Sequence, residues 1–433
     1  MDALIVHGGK PLSGEITISG AKNAVLPILA ATMLHGDEYC LHNCPDIADV
    51  RLAAAIIRCL GGRVTRRGNT LLVDTRLAGG TVIPADLMGK MRASVLFLGA
   101  LLARFGEASM TMPGGCPLGR RPIDLHLDAL ARMGASVVLW EGEICCEAPS
   151  LHGAAIELQF PSVGATENVL LASMGCKGTV VLQNAAREPE IADLAHFLQA
   201  MGGEISGIGT DTLTIRGGAP LSGAAYTVMP DRIEAATFLC ACAGCGGEIC
   251  LHGADGRHLT PVLDVLTGAG CELCWSRKCI TLRAQGRRKA VPAIETATYP
   301  GFPTDVQAPM MAALLRMEGS CRFSETIFER RFAHVPQLRR FGAEIETEGS
   351  AALVRGVASL RPATVTGTDL RGAAALVIAA LQAPGVSTIY GIKHLRRGYD
   401  NLEGKLRALG VTLSEADGGV GKNTTGNFPC HGV

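Results

Sequence analysis

Six times along the chain an apolar, helical-looking segment ends in a glycine and gives way to a strand-like run. The closing pairs are Leu60-Gly61, Met133-Gly134, Met201-Gly202, Ala269-Gly270, Phe341-Gly342 and Leu409-Gly410. A glycine just past a helix suits the left-handed C-cap conformation. These glycines recur roughly every 70 residues, which is a direct repeat. Each unit reads as a strand, a polar turn, an apolar helix, a second strand, a second helix, the glycine and a closing hairpin. The turns that open the first helices include Ser19-Gly20-Ala21-Lys22, Ser162-Val163-Gly164-Ala165 and Pro230-Asp231-Arg232. Pro303-Thr304-Asp305 and Thr368-Asp369-Leu370-Arg371 continue the series. Small polar residues there can cap a helix, and exposed amides at a helix start attract anions. The period is too long for a simple solenoid. Two groups of three units follow, with a substrate site expected between them.

Composition narrows the function classes. The chain has 433 residues, 48% of them hydrophobic but only 4% aromatic, so its core must be aliphatic. Its 54 glycines are spread along the chain, as many tight turns require. A net charge of zero gives no support for a broad nucleic-acid surface. Met1-Asp2-Ala3-Leu4-Ile5-Val6 has neither the basic start nor the long apolar run of a signal peptide. The apolar helical segments 24–34 and 373–381 fall short of the ~20 residues needed to span a membrane. A cytoplasmic protein without membrane insertion is the expectation, and its 16 cysteines then read as reduced thiols.

Two C-x-x-C pairs, Cys242/Cys245 and Cys271/Cys274, could in principle hold zinc. Their context argues against it. The first pair closes an apolar run of small residues, where cysteine serves packing. The second flanks a short strand-like segment that points its ends to opposite sides. A different cysteine carries the stronger signal. Gly114-Gly115-Cys116-Pro117-Leu118-Gly119-Arg120-Arg121-Pro122 places one thiol in a glycine- and proline-punctuated loop with two arginines behind it. Cations near a thiol favour the reactive thiolate and would hold an anionic substrate beside it.

These features resemble the enolpyruvyl transferase family, in its branch acting on UDP-N-acetylglucosamine. The matching stretches include 19–24 (Ser-Gly-Ala-Lys-Asn-Ala), 91–94 (Met-Arg-Ala-Ser), 113–116, 121–126, 162–168 and 184–190. They continue at 230–234, 302–307, 325–329, 368–371 and 397–399, so the likeness spans residues 1–415. It implies an inside-out α/β fold of two lobes, three repeats each, with helices inside and sheets outside. The first lobe would be residues 22–229 and carry the Cys116 loop. The second would be residues 1–21 and 230–419 and carry Asp305 and Arg397, leaving 420–433 as a flexible tail.

The resemblance implies transfer of enolpyruvyl from phosphoenolpyruvate to the 3′-hydroxyl of UDP-N-acetylglucosamine, with release of phosphate, toward peptidoglycan. By it, Cys116 is the proton donor to C3 and the residue alkylated by the inhibitor fosfomycin. Asp305 is the candidate acceptor of the sugar hydroxyl proton; it also reads as the cap of its helix and could serve both purposes. Lys22, Arg121 and Arg397 would bind the anionic groups of phosphoenolpyruvate. Asn23, Arg92, Arg121, Pro122, Ile123, Asp124, Leu125, Ser162, Val163, Gly164 and Ile327 would surround the nucleotide sugar or the joining substrate. Arg331, Asp369 and Arg371 would support the centre. No cofactor and no metal are called for. Three departures stand out: Ala48 where some relatives carry lysine, Arg330 where asparagine is frequent, and Pro309 where glutamine is usual, which could change how the Asp305 helix starts. The shikimate-pathway enolpyruvyl transferase shares the repeats, but 19–23 and the Cys116 loop favour the sugar-nucleotide enzyme. A weakly catalytic sugar-nucleotide sensor is the non-enzymatic alternative, opposed by the presence of Lys22, Cys116, Asp305 and Arg397.

Overall fold

The structure, a computed structural model, describes residues 2–114, 123–286 and 288–416. Its repeat unit is visible in six four-stranded sheets among the described residues, each holding two parallel neighbours and a closing antiparallel pair, which is a hairpin in five and joins Ala3–Gly8 to Thr412–Ala416 in the sixth. All six repeat glycines adopt positive φ, between 86° at Gly410 and 111° at Gly202. A side chain there would strain the backbone, so glycine is what lets each second helix turn into the strand that follows.

The first helices of the repeats are largely buried. Every residue of Leu370–Gln382 beyond the first is buried, and so is every residue of Arg232–Cys245 up to Gly244. These two pack against Thr304–Ala313 to form the centre of one core. Gln382 Nε2 ties two of them by donating to the Ala312 carbonyl at 2.7 Å. In the other core, Phe97–Phe105 packs on both Lys22–Ala31 and Val163–Ser173. Gly99 makes that approach possible, because a Cβ there would lie 2.5 Å from the Asn168 carbonyl oxygen. The sheets lie outside and alternate buried with exposed positions, as strands with one face on a core do. Helices inside and sheets outside is the inside-out arrangement.

One hydrophobic core gathers residues between 21 and 228, and the other gathers 4–18 with 233–413. The chain passes between them twice. Leu12–Thr17 runs parallel to Gly247–His252 in a sheet of the second core, then leads into the first. Ala225–Thr227 runs parallel to Glu38–His42 in the first, then leads back. The passing segments are stitched together: Ala21 N donates to Met229 O at 2.7 Å and Asp231 N to Ser19 O at 2.8 Å. Among the described residues no helix is long and apolar enough to cross a membrane.

Two local expectations need correction. Asp305 does not cap its helix. Thr304–Ala313 begins after Pro303, with Asp305 inside the first turn and its carboxylate turned to arginines. Side-chain caps do occur at Ser162, Asp231 and Asp369, but Ala21 offers none to Lys22–Ala31. Pro309 lies within the Asp305 helix rather than altering its start. Lacking an amide hydrogen, it removes the helix bond that the Asp305 carbonyl would accept.

Candidate active site

Two carboxylates, each held by two cations, form the centre of the site. Asp49 lies in the first turn of Ala48–Cys59 and its side chain is 4% exposed. Lys22 Nζ, from the start of Lys22–Ala31, is 2.9 Å from Asp49 Oδ2. Arg397, at the end of the 3-10 turn Ile392–Arg397, donates through Nε to Oδ1 at 3.0 Å and through Nη2 to Oδ2 at 3.3 Å. Asp49 therefore joins helix starts of the first core to the second. Lys22 and Arg397 are not solvated surface cations. The surface member of the basic pair is Arg396, which pairs with Glu415 and Asp2.

The second carboxylate is Asp305. Arg331 Nη2 is 2.9 Å from Oδ1 and Arg371 Nη2 3.4 Å from Oδ2. Both arginines are buried. Arg331 also donates from Nε and Nη2 to the Thr304 carbonyl, which fixes its plane. Asp369 accepts from Arg371 N and Gly372 N and so sets the helix that carries Arg371. The Glu325 carboxylate accepts from both Ile327 N and Thr304 Oγ1, drawing Ile327 to the Asp305 helix start.

Charge couples the two groups. Burial depresses the Lys22 ammonium, Asp49 pulls it back up, and Arg371 and Arg397 depress it further. Burial would raise the Asp49 carboxyl, but Lys22 and Arg397 outweigh it and hold the group below its ordinary value. Burial would likewise raise Asp305, yet Arg371 and Arg331, helped by Lys22, hold it well below the usual carboxylate range. A cluster so rich in cations suits a substrate carrying both phosphate and carboxylate.

A third group forms around His126, which is buried on the helix Asp124–Arg132. Ile123, Asp124 and Leu125 lead into it. Asn168 Nδ2 donates to His126 Nδ1 at 2.8 Å, and a Cβ on Gly164 would lie 2.8 Å from the ring, so Gly164, in the first turn of the helix Val163–Ser173 that Ser162 caps, packs beside it. Burial, then Arg92, pushes the imidazole down to about 3, so it is neutral and accepts the amide hydrogen. Asn23 follows Lys22 on the same helix and is half-buried. Cys116, Arg121 and Pro122 lie outside the described residues. Ala48 and Arg330 are both exposed.

The family model of EPSP synthase (3-phosphoshikimate 1-carboxyvinyltransferase) matches residues 6–406. The chain belongs to the enolpyruvyl transferase family. Among relatives, the UDP-N-acetylglucosamine 1-carboxyvinyltransferase of Shewanella amazonensis is 47% identical over 411 residues, covering 95% of this chain and 98% of that protein. The enzyme of the same name from a Psychrobacter species is 44% identical over 420 residues, 96% and 97% of the two chains. In three dimensions the transferase is similar to the enolpyruvyl transferase NikO from Streptomyces tendae, with TM-score 0.86, 27% identity and coverage of 96% and 98%. EPSP synthase from Acinetobacter baumannii, at 17% identity and TM-score 0.73, shares the fold, over 96% and 100% of the two chains.

Sequence reasoning missed several members of the transferase's site. Asp49 is the main one. Its stretch, 45–49, drew notice only for Ala48, and partners 27 and 348 positions away left no local trace. Asp231 both caps Arg232–Cys245 and accepts from Lys22 N at 3.1 Å. Arg232 pairs with Glu190 at 2.9 Å, both buried, again joining the cores. Asp231, Arg232 and Glu190 fall in stretches that carried the resemblance, which was the available signal.

Proposed function

We propose that this transferase moves the enolpyruvyl group of phosphoenolpyruvate to the 3′-hydroxyl of UDP-N-acetylglucosamine, in peptidoglycan precursor synthesis in the cytoplasm. The observation that carries the reading is the meeting of Lys22 and Arg397 on Asp49 beside the Asp305–Arg331–Arg371 group. In the reaction the hydroxyl adds to C2 of phosphoenolpyruvate while C3 gains a proton. The tetrahedral intermediate then loses phosphate from C2 and a proton from C3. Lys22, Arg121 and Arg397 bind the phosphate and carboxylate, and Cys116 delivers the proton to C3. The nucleotide sugar lies along the His126 group, from Arg92 and Asn23 to 162–164, with Ile327 facing it from the second core.

Asp305 receives the hydroxyl proton, and its arginines regulate that step. Clamped by two guanidiniums, it is too weak a base to take a proton well. An incoming dianionic phosphate competes with it for Arg371 and Lys22. The carboxylate then becomes more basic only once phosphoenolpyruvate, the electrophile that the hydroxyl attacks, is in place. Residues 22–229 act as one lobe and residues 1–21 with 230–419 as the other, with Asp49 as the tie that closes them.

Phosphate release from phosphoenolpyruvate with purified full chain tests the function. Turnover is expected with UDP-N-acetylglucosamine and not with shikimate 3-phosphate, and it should be lost in Cys116→Ser. No turnover with the sugar nucleotide in a folded protein that binds it would reject the assignment. Fosfomycin in the presence of the sugar nucleotide should add covalently to Cys116, which peptide mass mapping reads directly.

A further inference from the structure

Neither C-x-x-C pair forms a cluster suited to a metal, but the strand register of one outer sheet does. Cys250 and His252 lie two apart on the strand Gly247–His252, so both project from the same face. Glu15 stands directly opposite Cys250 on Leu12–Thr17, and Cys279 stands opposite His252 on Cys279–Ala284. The Cys250 and Cys279 sulfurs are 3.0 Å apart, and His252 Nε2 is 3.8 Å from Cys250 Sγ. One ligand atom from each of Cys250, His252 and Cys279 falls within 4.8 Å of the others. Glu15 Oε2 touches His252 Nε2 at 2.7 Å. All four side chains reach solvent, His252 being 47% exposed, so an ion needs no opening of the fold.

We infer that Cys250, Cys279, His252 and Glu15 form a binding site for a thiophilic divalent metal ion, of which zinc is the natural example, on the outer sheet of the second core. Two thiolates and an imidazole are the donor set that zinc selects, with bonds of about 2.3 Å to sulfur and 2.0–2.1 Å to nitrogen. At a tetrahedral angle such donors sit roughly 3.5–3.8 Å apart. The Cys250–Cys279 and Cys250–His252 separations, 3.0 and 3.8 Å, lie within about 1 Å of that. Each thiol gives its proton to solvent on ligation. Ligation through Nε2 releases the Glu15 carboxylate, which closes the fourth position.

The first core supplies an internal control. Glu38-Tyr39-Cys40-Leu41-His42 repeats the pattern of Glu248-Ile249-Cys250-Leu251-His252, and Cys40 Sγ is 3.5 Å from His42 Nε2. There the place of Cys279 is taken by Thr70, 3.1 Å from His42 Nδ1, and the place of Glu15 by Ala225. The pair is present but the other two ligands are not. In the second core, the metal would pin Leu12–Thr17, the edge strand that carries the chain toward Lys22, to its neighbour Gly247–His252 and, beyond it, to Cys279–Ala284. The site lies on the outer sheet, apart from the catalytic groups, so it stands or falls independently of the proposed reaction.

The test is titration of the full chain with cobalt(II), after metal removal and reduction by a phosphine, followed by displacement with zinc. The expected result is one cobalt per chain, with thiolate-to-metal charge-transfer and tetrahedral d–d bands, and a raised midpoint of thermal unfolding with zinc. Cys250→Ser and Cys279→Ser should abolish the bands, His252→Ala should weaken binding at least about tenfold, and Cys274→Ser and Cys40→Ser should leave it unchanged. Thr70→Cys with Ala225→Glu should add a second equivalent in the first core. Absence of the bands while thiol counting shows Cys250 and Cys279 reduced would overturn the proposal. So would unchanged bands in Cys250→Ser and Cys279→Ser, or no second equivalent in the folded double variant. If the reduced pair instead oxidises to a disulfide and binds no cobalt, the site is a redox pair and the inference is wrong.

Discussion

Asp49 and Asp305 look alike, each a carboxylate between two cations, but they are built differently. Asp49 takes Lys22 from the first core and Arg397 from the second. Asp305 takes both of its arginines from its own core, and one of them is further fixed by the Thr304 carbonyl. The Asp49 group therefore depends on how the two cores sit, while the Asp305 group is preorganised. A transferase that must close on two substrates needs both kinds. On the proposed closure of the lobes, the Asp49 group would organise as they meet, while the Asp305 group stands within one core until phosphate competes for Arg371.

Substitutions at the Asp305 group should break this contrast most severely. Asp305→Asn keeps the shape but cannot accept the proton, and kcat for phosphate release should fall by about 10²–10⁴. Arg331→Lys should restore part of what Arg331→Ala loses, because a single ammonium cannot make both the Thr304 and Asp305 contacts. Steady-state kinetics of the two variants side by side reads that difference. On the proposed role of Lys22 at the departing phosphate, Lys22→Ala should lower kcat/KM by about 10²–10³.

Asp49→Asn sharpens the comparison in another way. Asp49 raises the pKa of Lys22 against burial. Without its charge the ammonium loses its proton at lower pH, so the alkaline limb of the kcat/KM profile should move down in pH. An unmoved limb would mean that Lys22 does not need Asp49.

The smallest effect is expected at His126. Its folded pKa of about 3 lies below the unfolded value of about 6.5. Between those values the unfolded chain binds the extra proton. Stability from the neutral ring is present above about pH 6.5 and is lost as pH falls toward 3. His126→Gln should flatten that acid-side loss in denaturant titrations across pH.

The repeat architecture was legible because its signal is local. Six glycines past six helices mark places where the backbone must turn left-handed, and the structure shows all six at positive φ. The helix caps at Ser162, Asp231 and Asp369 were legible for the same reason. Asp49, His126 and the Cys250 cluster were not. Asp49 acquires its role from a residue 348 positions away. The Cys250 cluster depends on strand register, whereas sequence spacing drew attention to the C-x-x-C pairs. Cys242 and Cys271 of those pairs are buried, and Cys274 faces solvent. Asp305 was named from the resemblance, but the paired arginines that hold its carboxylate became visible only once Arg331 and Arg371 were placed around it.

The contrast between the two carboxylates is tested most directly by measuring kcat and the phosphoenolpyruvate KM of Asp49→Asn and Asp305→Asn together, by phosphate release with UDP-N-acetylglucosamine. The account predicts that Asp305→Asn loses chiefly kcat, while Asp49→Asn loses chiefly affinity for phosphoenolpyruvate. Full kcat in Asp305→Asn, or the same loss of kcat with unchanged KM in both variants, would contradict it.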